Sequence, residues 1–312
     1  MDLRQLRYFL AITEEGAVSR AAARLGVAQP ALSAHVRRME EELGAQLLLR
    51  SSTGVVPTEA GALLAERARA LLLDFERMEE EVRGLGAAPG GLVRIGLPGT
   101  IADMTAAPLI ARTRARYPGI RLQLAEAMSG FVAEWLRDGR VDLAVLYLDA
   151  AAARRMGVRL TPLLDEELVA LAPPGAEAGE LDGVAPLAEA PLVLPSGAHG
   201  LRAMLDRVAR AEGVQLAPQI EIDSYSNIKR LVAEGHGVSV LPWRAVAEEE
   251  RDGRLVVRRF GGERLRRRAS LAEAAGRPAT RAAQAAAGLL REVVEESVAA
   301  GLWAGATRVA EG

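Results

Sequence analysis

The stretch AAARLGVAQPALSAHVRRMEEELG, residues 21–44, constrains the fold more than any other part of the chain. It carries the end of one helix, a stop at Gly26, and a second helix whose apolar positions Leu32, Val36, Met39 and Leu43 recur at helical spacing. Pro30 falls in the first turn of that second helix, where no intrahelical N–H partner is lost, and Gly44 offers the C-terminal stop. Upstream, Leu3, Leu6, Phe9, Leu10 and Thr13 mark a first helix ended by Gly16. Downstream, LLLRSSTGVVPT reads as a strand, a turn at Gly54 and a second short strand. Three helices followed by a hairpin match a winged helix-turn-helix.

An α-helix fits the major groove of B-DNA, and in a helix-turn-helix the N-terminal residues of the second helix reach base edges. Here those residues are Gln29, Pro30, Ser33 and Ala34, with His35 and Arg37 a turn later. Gln can bond adenine through two hydrogen bonds, Ser a base edge or a phosphate, and Pro30 and Ala34 offer apolar surface to a thymine methyl. Arg37, Arg38 and Arg50 suit phosphate anchoring. Net charge does not propose this reading. The whole chain carries a formal charge of −2, and residues 1–60 hold seven Arg against seven Asp or Glu. The acids at 40–42, however, lie beyond the expected contact face.

Thr58 opens a long helix with an apolar stripe of Ala60, Leu64, Leu71, Phe75, Met78 and Val82, interrupted by Arg67. About 26 residues at ~1.5 Å each make a rod of roughly 40 Å. One recognition helix reads few bases, so a partner helix along this stripe, and hence a dimer on two half-sites, is expected. GLGAAPGG, residues 84–91, reads as a flexible linker.

Beyond it the pattern alternates between strands and helices. LVRIGLP, IRLQLAEA and VDLAVLY are strands separated by helices at 100–117 and 130–138, and a parallel sheet is expected of such a series. ELVALAPP, PLVLPS, QIEIDS and GVSVLP repeat the theme, and RLRRRASLAEA with a helix at 280–300 closes it, able to return to the first half. Two α/β halves suggest two lobes around a cleft. In such sheets ligands sit beyond the carboxyl ends of strands and at helix N-termini. The residues there are Gly99 and Thr100, Ser129, Tyr147, Ser196 and His199, Ser224 and Tyr225, and Pro242. Hydroxyls at helix starts also serve as plain N-caps, worth ~1 kcal/mol each.

Residues 1–61 resemble the DNA-binding domain of LysR-type transcriptional regulators, on the strength of LRYFLAITEEGAVSRAAARLGVAQPALSAHVRRMEEELGAQLLLR and PTEAG. The long helix and the α/β remainder are similar to that family's architecture more loosely. Three positions depart from the usual pattern: Ala34 stands where Arg is common, Leu48 where Phe is, and His35 where Gln or Arg is frequent. The resemblance implies a winged helix-turn-helix domain at 1–61, a linker and dimerisation helix at 58–86, and a two-lobed, periplasmic-binding-protein-like effector domain at 91–300. Lobe I would take about 91–162 and 266–300, and lobe II about 163–265. It also implies that the helix holding Gln29, Pro30 and Ser33 reads DNA, that the hairpin around Thr53 is the wing, and that Thr100 and Ser129 lie in effector-binding turns. The implied partners are double-stranded DNA, a small-molecule effector and copies of the chain as a homodimer or homotetramer, with RNA polymerase a further candidate.

The expected function is therefore sequence-specific DNA binding under the control of an effector, a small organic anion being the first class to consider. The chain has no Cys, which rules out thiol switches, catalytic thiols and Cys-based zinc sites, and its three His are far apart. No metal or cofactor is expected. No G-x-S-x-G, Walker loop or G-x-G-x-x-G is present, so catalysis is not expected either. An enzyme or a solute-binding α/β domain carrying a DNA-tethering head is the alternative. MDLRQLRYFLAITEEG reads as a charged amphipathic helix rather than a signal peptide, and no apolar run reaches the roughly 18 residues of a membrane span, so a cytoplasmic, membrane-free location is expected.

Overall fold

The structure, a computed structural model, describes residues 1–51, 54–83, 88–197, 199–261 and 265–309. The chain divides into two compact units, residues 1–87 with 138–140 and residues 88–137 with 141–312.

In the first unit, helices α1 (Leu3–Glu15), α2 (Val18–Leu25) and α3 (Gln29–Leu43) precede a hairpin of β1 (Leu48–Ser51) and β2 (Gly54–Pro57), and α4 (Glu59–Arg83) follows. Gly16, Gly26 and Gly44 each adopt a left-handed conformation, with φ of 60, 65 and 62°, directly after the helix they end. Asp2 caps α1 in a capping box with Gln5. Phe9, Ile12, Leu32 and Met39 are fully buried where the three helices meet. The PTEAG segment has a specific mechanical reason. Thr58 donates its N–H to Leu47 O and its hydroxyl to Gln46 O, and its Oγ1 accepts the Gly61 N–H. That anchors the start of α4 to the residues just before β1 so closely that a Cβ at Gly61 would stand 2.0 Å from Leu47 O. Ala65, Ala68 and Leu72 of α4 are buried against this core, while Leu63, Leu71, Met78 and Val82 are exposed. The expected stripe thus splits. Its Ala60 and Leu64 pack on the head, and its distal members Leu71, Met78 and Val82 are exposed.

The second unit runs β3 (Gly91–Leu97), α5 (Gly99–Arg116), β4 (Ile120–Glu126), α6 (Ser129–Arg137), β5 (Leu143–Leu146), α7 (Ala150–Arg155), β6 (Val158–Ala172), β7 (Gly179–Leu181), β8 (Val193–Leu194), α8 (Gly200–Ala211), β9 (Ile220–Glu221), α9 (Tyr225–Ala233), β10 (Ser239–Pro242), α10 (Ala247–Arg251), β11 (Val256–Phe260), β12 (Arg266–Ala274), α11 (Arg281–Ala299) and β13 (Ala306–Arg308). The sheet is mixed rather than parallel. β3 pairs β4 and β5 in parallel, but β12 is antiparallel to both β5 and β6, and β10 and β11 are antiparallel to β6. The cause is the long strand β6. Leu163 and Leu164 belong to one core with β3, β5, α5 and α11, whereas Leu168 to Leu171 belong to a second core with α8, α9 and β10. β6 therefore crosses between two lobes, and β12 crosses back beside it, which forces the antiparallel pairing.

Residues 165–167 and 266–268 form the crossing. Their side chains are complementary: Asp165 faces Arg268, Glu166 faces Arg267 and Glu167 faces Arg266 in the antiparallel register.

Candidate functional site

A cavity of about 510 Å3 lies between the lobes, and Arg267 of the crossing strand β12 lines it. Lobe I contributes Gly99 and Thr100 from the start of α5, Glu126 from the end of β4, Ser129 from the start of α6, and Tyr147 after β5. Lobe II contributes His199 before α8 and Asp223, Ser224 and Tyr225 at the start of α9. Each of these points lies at a strand end or a helix N-terminus, where α/β folds leave backbone N–H groups unpaired.

Arg267 of β12 organises the floor. Its side chain is buried, its Nε donates to Glu166 Oε2 at 2.9 Å and its Nη2 lies 2.8 Å from the same oxygen. Its guanidinium stacks 3.7 Å from the Tyr147 ring centre. Tyr147 donates its hydroxyl to Glu166 Oε2 at 2.8 Å, so the Thr100 hydroxyl, 3.3 Å away, is left to donate to Tyr147. Burial opposes the Arg267 charge, but Tyr147, Glu166 and Tyr225 outweigh it and raise its pKa. Burial pushes Tyr147 well above the ordinary phenol value, so it stays neutral, and Glu166 is the anion that balances Arg267. Burial, reinforced by Arg267, lowers His199 to about 4. His199 Nδ1 accepts the Leu201 N–H and caps α8, so a neutral His199 carries its proton on Nε2, which has no partner among the described residues.

Seven of the nine cleft residues singled out from sequence line this cavity: Gly99, Thr100, Ser129, Tyr147, His199, Ser224 and Tyr225. Ser196 does not, because its N–H and hydroxyl both bond the Asp223 carboxylate. Pro242 does not either, being buried at the end of β10 against Leu168 of β6. Ser129 Oγ accepts the Tyr147 N–H at 3.4 Å, and Ser224 Oγ caps α9 through the Asn227 N–H. Thr100 is not a cap, since Pro98 occupies that position. Sequence reasoning missed Arg267, Glu126, Asp223 and Lys229. For Arg267 a signal existed, an acidic triplet at 165–167 and an arginine triplet at 266–268 that pair in the fold.

In the first unit, Gln29, Pro30, Ala34, Arg37 and Arg38 are exposed and Ser33 is half-buried, all on α3. His35 differs. Its ring meets the Tyr8 ring edge-on at 5.2 Å between centres, and its Nδ1 is buried with no hydrogen-bond partner among the described residues. The Arg50 backbone lies in β1, paired with Val55, while its side chain and the whole of Thr53 lie outside the described residues. Among the described residues no cluster of His, Asp and Glu could hold a metal ion, and no helix is long and apolar enough to cross a membrane.

Comparison with known proteins agrees with this architecture. A family model described as bacterial regulatory helix-turn-helix protein, lysR family, matches residues 3–62, and one described as LysR substrate binding domain matches residues 86–295. The chain is 36% identical over 243 residues to the nitrogen assimilation regulatory protein nac of Escherichia coli (strain K12), covering 78% of each. It is 34% identical over 299 residues to a probable hydrogen peroxide-inducible genes activator of Streptomyces viridosporus, covering 95% of each. Among solved structures, a full-length OxyR variant from Pseudomonas aeruginosa superposes with a TM-score of 0.67 at 25% identity, over 94% of this chain and 97% of that one. The chain belongs to the LysR family of bacterial transcriptional regulators.

Proposed function

We propose that the inter-lobe cavity is the effector site and that the exposed start of α3 reads DNA. The observation that carries the first half is the convergence of both lobes on the buried Arg267–Glu166 pair, which sits on the two crossing strands. A molecule touching Thr100 and Tyr147 on one side and His199 and Tyr225 on the other favours one lobe arrangement over another. It thereby shifts an existing equilibrium by its differential affinity. Peroxide is not sensed by thiol oxidation here, because the chain has no Cys.

For the second half, Gln29 and Ser33 are the base readers, with Pro30 and Ala34 lining the same face. Arg37 and Arg38 hold phosphates, and Arg50 and Thr53 are the further contacts expected from the sequence. The packing of His35 on Tyr8 supports a structural part for it, placing the contact helix on α1. Dimers form along the exposed Leu71, Met78 and Val82 of α4, which gives paired half-sites. A DNA-reading role places the protein in the cytoplasm.

The test is a gel shift on the gene's own upstream region with operator and random DNA at two salt concentrations. Gln29→Ala should weaken operator binding by ~1–3 kcal/mol with little change on random DNA. Arg38→Ala should weaken both and flatten the salt dependence. Equal losses on both DNAs for Gln29→Ala would refute base reading by this helix.

A further inference from the structure

The charges around the cavity do not balance. Among the described residues, two cations line it, Arg267 and Lys229. Both are already neutralised by carboxylates outside the lining, Arg267 by Glu166 at 2.8 Å and Lys229 by Glu249 at 2.7 Å. Three carboxylates in the lining, Asp103, Glu126 and Asp223, have no cationic partner among the described residues. Asp103 follows Gly99 by one turn on α5, and Glu126 faces Leu97 in the sheet register, with Glu126 Oε1 only 2.9 Å from where a Cβ on Gly99 would stand. Both carboxylates therefore crowd one helix N-terminus on lobe I, and both residues are exposed. Asp223 stands on lobe II, each oxygen accepting one bond from Ser196 and keeping further acceptor capacity.

The opposite chemistry lies deeper. His199 is about nine-tenths buried, at 7% exposure, and offers the unpartnered Nε2–H to the cavity. The Arg267 guanidinium lies on the same floor, and the Thr100 hydroxyl beside it can exchange its long, 3.3 Å bond to Tyr147 for a ligand acceptor. The site thus presents donors within and, at its mouth, carboxylates with no cationic side-chain partner among the described residues. A bare organic anion would satisfy the donors but would bring a second negative charge to those carboxylates, a repulsion that solvent at the mouth weakens without abolishing.

We infer that the effector is a zwitterion or amino-bearing molecule, whose ammonium is held between Asp103 and Glu126 of lobe I and Asp223 of lobe II, and whose acceptor end meets His199, Thr100 and Arg267. An ammonium shared by carboxylates of both lobes draws the lobes together, so the same group that gives specificity also drives closure. The inference rests on the cleft being the effector site.

The test uses the full chain and paired probes: standard L-amino acids, ω-amino acids and diamines, each beside the carboxylic acid or monoamine that lacks one charged group. Melting temperature and operator binding are read for wild type, the Asp103→Asn/Glu126→Gln double variant and Thr100→Val. The expected result is that at least one ammonium-bearing probe raises the melting temperature and that its deaminated counterpart binds at least tenfold more weakly. The double variant, altered only at exposed side chains, should lose that preference. The inference is overturned if deaminated probes bind as well, if the double variant binds an ammonium probe unchanged, or if no ammonium-bearing probe stabilises the chain. A carboxylate that binds wild type and the double variant alike, but Thr100→Val more weakly, would overturn the ammonium alone. A stabilising probe indifferent to Thr100→Val would overturn the cleft reading itself.

Discussion

Thr100 shows how one hydroxyl can be assigned. Its side chain is buried and not needed as a helix cap, and it meets the Tyr147 hydroxyl, which keeps Glu166 without it. Thr100→Val should therefore change the melting temperature by little and raise the effector concentration for half response by about three- to tenfold, the equivalent of ~0.5–1.5 kcal/mol. Equilibrium titration beside thermal melting separates the two. A large melting shift with an unmoved half response would make Thr100 structural. His199 gives a pH prediction. Its folded pKa, about 4, lies below the unfolded value near 6.5, so the unfolded chain binds the proton first. Its contribution is complete above the unfolded value and is lost as pH falls from there through about 4. His199→Asn keeps a cap for α8 but removes the titration, and melting curves across that range should be flatter for the variant. Equal slopes would contradict the burial argument. That residues of this kind would line the cavity was legible in the sequence because strand ends and helix starts are local signals. Ser196 carried the same local signal and failed, since its partner Asp223 lies far along the chain and took both of its polar groups.

Elements expose a different limit. The head could be read almost throughout: three helices each stop at a glycine that adopts left-handed φ, and those stops are visible one residue at a time. The sheet could not. Nothing local says that β6 continues through two cores or that β12 returns beside it, so the parallel expectation gave way to a mixed sheet. Arg267 was missed for a related reason: both charge triplets are visible, but nothing local says that they pair, Glu166 being 101 residues away. The crossing supports a stability prediction. Arg267→Met strands a buried Glu166 carboxylate and should cost about 3–5 kcal/mol, while the Glu166→Leu/Arg267→Met double variant should recover most of it. Denaturant melts measure both, and a double variant no better than the single would show that the pair is not the relevant unit. In the head, Gly61→Ala pushes a Cβ into Leu47 O, a backbone atom that cannot swing aside. It should abolish DNA binding and leave effector-induced stabilisation intact. Gly288→Ala in α11, where a Cβ meets nothing within 4 Å, should be neutral or stabilising by up to ~1 kcal/mol. If Gly61→Ala were as benign, the anchoring of α4 would be wrong.

At the scale of the whole molecule, a DNA-reading unit and an effector unit share one chain. Neither half explains the other. The first unit has its own core of helices and a hairpin, and the second has two cores linked by a charged crossing. Control requires that occupancy of the cleft alter how the heads engage DNA, and by linkage that operator DNA alter effector affinity to the same degree. Footprinting of the full chain on its own upstream region probes this coupling, titrated with a compound that stabilises the chain, for wild type and Thr100→Val in parallel. The expected result is paired half-sites about one helical turn apart or a multiple of that, with a protection pattern that changes as the compound is added. Thr100→Val should move only the concentration at which the change occurs. Identical footprints at every compound concentration, or a change with the same midpoint in both proteins, would contradict control through the cleft.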